Sequence, residues 1–334
     1  MSETAHALQV YPAPMLPVSQ GANLGDDLSF ASDLVLDDSY QLSPRARPMR
    51  LSLHALENGH FQIAADSATG VKGATVVLDS CLTLMTSKSE AIEMLVLVEV
   101  DPQGHVAQIY AMPLAPLEPK EDYRLVGIDT ENAPLRFAQL ACVSFTRGTR
   151  LTLATGEQRA VEELAIGDKL LTRDDGAQPV RWIGHLTVRA SGDFAPVLIK
   201  QATLHNARDL LVSPEHRLFV YQREDRLGAG RAEVLLKARH LVNGRSVVLQ
   251  KGGFVDYYQI LFDAHQIVFA EGIAAETLRI DPRTRCALPP KVARTIGNTL
   301  TGHASRVQGA YEVSQSLLNR PDAAELLLRA SRGA

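Results

Sequence analysis

Residues 141–149 read ACVSFTRGT. Two side chains able to attack a carbonyl, Cys142 and Ser144, stand two positions apart in this stretch. Either could attack the peptide carbonyl just before it. Phe145 follows the serine, and Gly148-Thr149 comes soon after. A glycine there lets the chain turn tightly and brings backbone close to a reacting carbonyl. Taken alone, the stretch equally describes a strand entering a turn. Its reading depends on what else the chain carries.

Two further stretches set polar groups in apolar surroundings. Residues 212–218, VSPEHRL, hold Ser213, Pro214 and His216. The proline fixes a turn, and the histidine projects from it. An imidazole titrates near neutrality and can protonate a departing amide nitrogen; the plain reading is a histidine on a surface turn. Residues 263–272, DAHQIVFAEG, hold Asp263 and His265 alternating with apolar residues. In a strand both would point to one face, so that one could orient the other. The plain reading is a strand end at a polar rim.

The surroundings of these stretches are β-rich. From about residue 46, runs such as KGATVVLDSCLTLMT and IEMLVLVEVD are separated by breaks containing Gly, Asp and Asn, among them the hairpin signal DPQG. Residues 46–141 therefore read as an antiparallel β module with little helix. Residues 1–45, rich in Pro, Ser, Asp and Ala, read as a loop-rich arm. Over 142–282 short strands continue: a hairpin through ATGE, a DDG turn flanked by KLLT and VRWIG, then RSVVLQ, DYYQILF and QIVFAEG. Only AEVLLKARHLV has weakly helical spacing there. Many short strands of this kind predict a compact, strongly curved all-β fold. Residues 283–334 turn helical in pattern. Pro321-Asp322 suits a helix start, and Tyr311, Ser314, Leu317 and Leu318 share a face.

In this order and spacing the three stretches resemble the Hedgehog/intein (Hint) superfamily, most closely its bacterial Hint-type domains. SFTRGTRL is similar to the opening motif Cys-Phe-Thr-x-Gly-Thr. VEELAIGDKLLT is similar to the following Val-Glu-x-Leu-x-x-Gly-Asp turn. SPEH resembles Thr/Ser-x-x-His, and DAHQIVFAEG resembles the late histidine block. The resemblance implies a mainly β chain: an N-terminal antiparallel β module, a horseshoe-like all-β Hint fold, and a small α-helical tail. It also implies intramolecular chemistry, an N-to-S or N-to-O acyl shift followed by peptide cleavage near residues 141–144. The implied substrate is the chain's own N-terminal module, and the acyl acceptor is water or a small nucleophile. In that scheme Cys142 or Ser144 is the nucleophile and Ser213 holds the amide. His216 protonates the leaving nitrogen, and His265 assists later steps. Gapless alignment on Phe-Thr-x-Gly-Thr favours Ser144; the greater nucleophilicity of a thiol favours Cys142.

The chain departs from the family where inteins end. AEGIAAETLRID stands in place of a terminal His-Asn pair followed by Cys, Ser or Thr, so protein splicing is not expected. Tyr258 or Gln259 stands about where many inteins carry an assisting Asp, and a glutamine cannot act as a base. No insert of homing-endonuclease length interrupts the domain. An alternative reading is a catalytically inactive Hint-fold module used in binding or assembly, for example at a surface. A third is a β-sandwich carrier whose N-terminal module binds a partner.

Composition narrows the classes further. The 334 residues suffice for one large or two ordinary domains, and 46% of them are hydrophobic, enough for a packed core. With a net charge of −4 the chain does not read as a nucleic-acid binder. No run long enough to span a membrane occurs. The N-terminus lacks the basic and apolar regions of a signal peptide, so a cytoplasmic location or signal-independent export is expected. Three cysteines, Cys81, Cys142 and Cys286, are odd in number and far apart. They predict neither a disulfide framework nor a zinc site. Cys81 and Cys286 read as small buried hydrophobes, and no cofactor or metal is expected.

Overall fold

The structure is a computed structural model. It describes residues 6–281 except positions 57, 143, 223, 224, 226, 227 and 229, together with positions 284, 288, 313 and 329. The helical tail expected over 283–334, with Cys286, falls almost wholly outside the described residues. The chain divides into two units, Met1–Gln139 and Leu140–Ala334.

Among its described residues the first unit holds nine strands: β1 (His6–Pro12), β2 (Val18–Gln20), β3 (Ser39–Gln41), β4 (Met49–Ala55), β5 (Phe61–Ile63), β6 (Thr75–Met85), β7 (Ala91–Val100), β8 (Val106–Pro113) and β9 (Asp122–Asp129). They run in the order β2-β3-β9-β6-β5-β4-β1-β8-β7, and β7 pairs with β6. That last pairing closes β1 and β4–β8 into a barrel, which leaves no free edge on those strands. Residues 6–41 are thus not a loose arm. β1 pairs with both β4 and β8, and β2 and β3 extend the sheet from β9. Alternation was hidden there by proline and serine. The DPQG turn forms as expected between β7 and β8, with Asp101 Oδ1 accepting from the backbone N–H groups of Gln103 (2.9 Å) and His105 (2.8 Å). β7 is buried on both faces from Met94 to Val98, which explains its unbroken apolar run. An α-helix, α1 (Ala133–Ala141), follows β9. Asp129 Oδ1 accepts from the N–H groups of Glu131 and Asn132 just ahead of it.

The second unit holds β10 (Phe145–Thr146), β11 (Arg150–Thr152), β12 (Gln158–Ala160), β13 (Lys169–Thr172), β14 (Gly176–Pro179), β15 (Trp182–Arg189), β16 (Val197–Ile199), β17 (Leu210–Val212), β18 (Arg217–Tyr221), β19 (Glu233–Lys237), β20 (Val247–Leu249), β21 (Phe254–Leu261), β22 (Ile267–Ala270) and β23 (Ile273–Glu276). One sheet runs β15-β21-β10-β17-β16-β20, and the other β12-β11-β22-β23-β18-β19 with β13 and β14 attached. Phe145, Leu151, Val212, Leu218, Phe262 and Val268 lie together in one buried core drawn from both sheets. The ATGE hairpin joins β11 to β12. The DDG turn also forms, but its return strand is β14; VRWIG crosses to β21 instead. AEVLLKARHLV is not an α-helix: β19 pairs with β18, and a 3-10 turn over Ala238–Leu241 follows. Its Val-Leu-Leu run is buried as a strand between polar ends, a case of tertiary pairing overriding a weak local preference.

Candidate functional site

Phe145 explains why Ser144 sits at the centre of the second unit. β10 is only two residues long, yet Phe145 pairs with Val212 of β17 on one side and Tyr258 of β21 on the other. The residue before it is thereby carried into the interior, and Ser144 is 3% exposed. After β10 the chain turns at Gly148, whose φ of 86° only glycine adopts without strain. Glu162 of the VEEL segment accepts the Gly148 N–H at 2.8 Å and fixes that turn.

The turn between β17 and β18 brings Ser213 and His216 to Ser144. The His216 N–H donates to the Ser213 carbonyl at 3.0 Å, which closes the Ser-Pro-Glu-His turn. The 3-10 turn after β19 clamps it from outside, with Ala238 N–H donating to His216 O and Arg239 N–H to Pro214 O. Ser213 and Ser144 are then doubly joined. The Ser144 N–H donates to Ser213 Oγ at 3.1 Å, and the Ser213 N–H donates to the Ser144 carbonyl at 3.0 Å. His216 Nδ1 lies 3.0 Å from that same carbonyl. A carbonyl only accepts, so Nδ1 carries the proton.

His216 is not a surface residue. It is fully buried, with its ring 4.5 Å from that of Phe145. Burial pushes its imidazole down to about 4, against the opposing pull of the Ser144 carbonyl and of Glu276. It is therefore neutral at neutral pH.

His265 is buried at 2% exposure, but Asp263 does not reach it. Residues 263 and 264 form a bend and 265 and 266 lie outside any strand, ahead of β22, so the shared face expected for the two side chains is lost. Asp263 turns outward and binds Arg181, accepting from Nε at 2.8 Å and Nη2 at 2.6 Å. The carboxylate beside His265 is Glu276, at the end of β23, with Oε1 3.1 Å from His265 Nε2. Arg217 Nη1 lies 3.6 Å from the same oxygen. Burial alone would raise the Glu276 carboxyl, but Arg217, His265 and His216 outweigh it and hold the group at about 2. The sequence signal for Glu276 was a carboxylate in the apolar strand IAAE. Its meaning needed the β22–β23 and β18–β23 pairings, which no local pattern reveals.

Cys142 is buried at 1% exposure among Leu261, Leu278, Ile280 and Leu288, with Trp182 against them. Its carbonyl faces the serine, with Ser144 Oγ 3.5 Å from Cys142 O. The other described cysteine, Cys81, lies in the first unit, where burial pushes its thiol up to about 12. Gln259 is buried in β21, and the Tyr258 ring stacks on His185 at 4.8 Å. Among the described residues no group of three or more His, Cys, Asp or Glu is placed to hold a metal. Among the same residues no helix is long and apolar enough to cross a membrane.

The family described as Hint domain matches residues 143–282. The chain carries a Hint-type domain. Its matched segment begins one residue before Ser144 and spans Ser213, His216, His265 and Glu276. Among solved structures, the MchDnaB-1 intein is 14% identical and covers 40% of this chain and 98% of its own, with a TM-score of 0.26. The gp41-1 intein is 11% identical and covers 40% of this chain and 96% of its own, with a TM-score of 0.25. No curated protein matches. The Hint domain here is all β in its described residues, apart from short 3-10 turns.

Proposed function

We propose that the Hint domain autoprocesses its own chain at the Val143–Ser144 bond, through an N-to-O acyl shift without protein splicing. The observation that carries this reading is the double link between Ser144 and Ser213, with His216 Nδ1–H on the Ser144 carbonyl. Ser144 Oγ attacks the Val143 carbonyl carbon. The Oγ–C bond forms, the C–N bond to Ser144 breaks, and one proton moves in net terms from the hydroxyl to the Ser144 nitrogen. An amide and a hydroxyl thus become an ester and an amine, with no net gain or loss of atoms. Ser213 Oγ holds the departing nitrogen by its N–H. His216 supplies the proton path: its Nδ1–H, which sits on the carbonyl of the same residue, passes to the departing nitrogen, and the emptied Nδ1 takes the hydroxyl proton. Water or a small nucleophile then takes the acyl group, releasing residues 1–143.

Intact mass over a day tests this. Two fragments divided after Val143 are expected, with Ser144→Ala remaining whole. An uncut chain of 36.3 kDa that hydroxylamine does not cleave would exclude the reaction.

One observation favours a second reading, an inactive Hint module serving binding or assembly. The Ser144 Oγ hydrogen bond to the Cys142 carbonyl is a long 3.5 Å and is made to a carbonyl rather than a base, and a serine hydroxyl is a weak nucleophile without a base. Complete absence of cleavage together with a stable fold supports that reading.

A further inference from the structure

We propose that Glu276 is the positioning residue of this site, fixing the His265 ring and stabilising the charged form of His216 that proton transfer at Ser144 requires. The second half rests on the autoprocessing reading; the first half does not.

The sheet register places the groups together. Glu276 ends β23 and pairs with Ile267, at the start of β22, two residues after His265. Ala275 pairs with Leu218, two residues after His216. Three separate segments therefore deliver His216 with Arg217, His265 and Glu276 to one end of the β22-β23-β18 ladder. The segment carrying His265 is locked to β23 by its neighbour. Thr277 Oγ1 donates to the Gln266 carbonyl at 2.8 Å, and the Thr277 N–H to the same carbonyl at 3.0 Å.

Burial sharpens the consequence. His216, His265 and Glu276 are each at most 2% exposed, so water does not screen them. His265 Nε2 and Glu276 Oε1 are 3.1 Å apart yet outside good hydrogen-bond angles, and His216 Nε2 likewise lacks a well-formed hydrogen bond. The charged and titratable groups acting on Glu276 are Arg217, His265 and His216. The Glu276 carboxylate thus faces the Arg217 guanidinium and the His265 imidazole at once. His216 meets the Ser144 carbonyl through Nδ1 and the Glu276 backbone on another side, and the Glu276 charge adds to the pull toward the protonated ring. Two acceptors around one ring suit the doubly protonated imidazolium, the form that can give Nδ1–H to the Ser144 nitrogen, remain a neutral ring, and recover its proton from Ser144 Oγ. Removing the carboxylate leaves that form buried without its counter-charge.

The test uses the full chain with Glu276→Gln, in a Ser144→Ala background that keeps it whole, and 15N-histidine NMR. The His216 and His265 ring resonances are assigned by His216→Gln and His265→Gln. Both sets of ring resonances should move in Glu276→Gln, and the His216 titration should fall to lower pH. In the Ser144 chain the same substitution should slow cleavage about 10- to 100-fold, the scale of general acid–base help. Unmoved His265 resonances, or cleavage as fast as in the unsubstituted chain, would overturn the proposal. If the unsubstituted chain does not cleave, the autoprocessing reading fails and the resonances alone decide whether Glu276 positions the two rings. If Glu276→Gln does not fold, Glu276→Gln/Arg217→Met removes both buried charges and takes the same measurements.

Discussion

His216 Nδ1 and the Ser144 carbonyl oxygen are 3.0 Å apart across 72 residues of sequence, and both residues are buried. On the autoprocessing reading the histidine has two parts to play, one in proton movement and one in packing against Phe145. Truncation to alanine would open a cavity and confuse the two. The cleaner change is His216→Gln, which keeps a donor and most of the volume. Cleavage should slow about 100-fold while the circular dichroism spectrum and melting transition stay cooperative. A rate within about threefold of the unsubstituted chain would take His216 out of the mechanism.

The same burial gives stability a pH dependence with a definite sign. His216 is lowered from 6.5 to about 4 in the folded chain. Below pH 6.5 the unfolded chain binds a proton that the folded chain refuses, so stability falls as pH drops from about 6.5 toward 4 and levels off below that. His216 alone contributes a loss of about 3 kcal/mol across that window. His240, pushed down to about 4 by burial and by Arg239 and Lys237, adds a loss of the same sign. Glu276 acts lower: its contribution is present above 4.5 and lost as pH falls toward about 2. Urea midpoints at pH 7, 5.5 and 4.5 for the Ser144→Ala chain with and without His216→Gln test this. The histidine-bearing chain should show the steeper fall, and parallel curves would reject the assignment.

Much of this arrangement was legible in the sequence because the chemistry is carried by short local signals. Gly148 marks a positive-φ turn, Pro214 fixes the turn that ends in His216, and the alternation around Phe145 marks a strand. Where reading failed, the deciding contact was distant. Asp263 lies two residues from His265 and was the natural partner by alternation, but the bend at 263–264 interrupts the strand and Asp263 pairs with Arg181. Glu276 lies eleven residues from His265 and becomes its neighbour only through the β22–β23 pairing. β1 was hidden for the same reason: HALQVYP has a strand's alternation only faintly, and its partners in β4 lie from Val10↔Met49 to His6↔Leu53, far along the chain. The helical tail lies outside the described residues.

Asp263 now reads as a surface residue. Its pair with Arg181 has both side chains about half exposed, so solvent screening keeps its worth under about 1 kcal/mol. Asp263→Ala should change the unfolding free energy by no more than that, and should leave the cleavage rate within about twofold. Urea unfolding and fragment masses measure both. A drop in rate of about tenfold or more would return Asp263 to the site.

The two nucleophiles of residues 141–149 make opposite predictions. Cys142 packs with Leu261, Leu278 and Ile280, so Cys142→Ala should cost about 1 kcal/mol of stability through the small cavity it leaves. It should not alter cleavage. Ser144→Ala should abolish cleavage with little change in stability. Ser144→Cys puts a thiol where the hydroxyl stands, beside Ser213 and His216. A thiol near neutral pH is a few per cent thiolate and far more nucleophilic than a hydroxyl, so the acyl shift should quicken about tenfold or more. The product is then a thioester, which dithiothreitol attacks readily, whereas the oxygen ester formed through Ser144 responds to it weakly. Fragment masses with and without dithiothreitol in these three variants separate the cases. Strong dithiothreitol acceleration in the Ser144 chain, lost in Cys142→Ala, would assign the attack to Cys142 and move the cleaved bond to the one between residues 141 and 142.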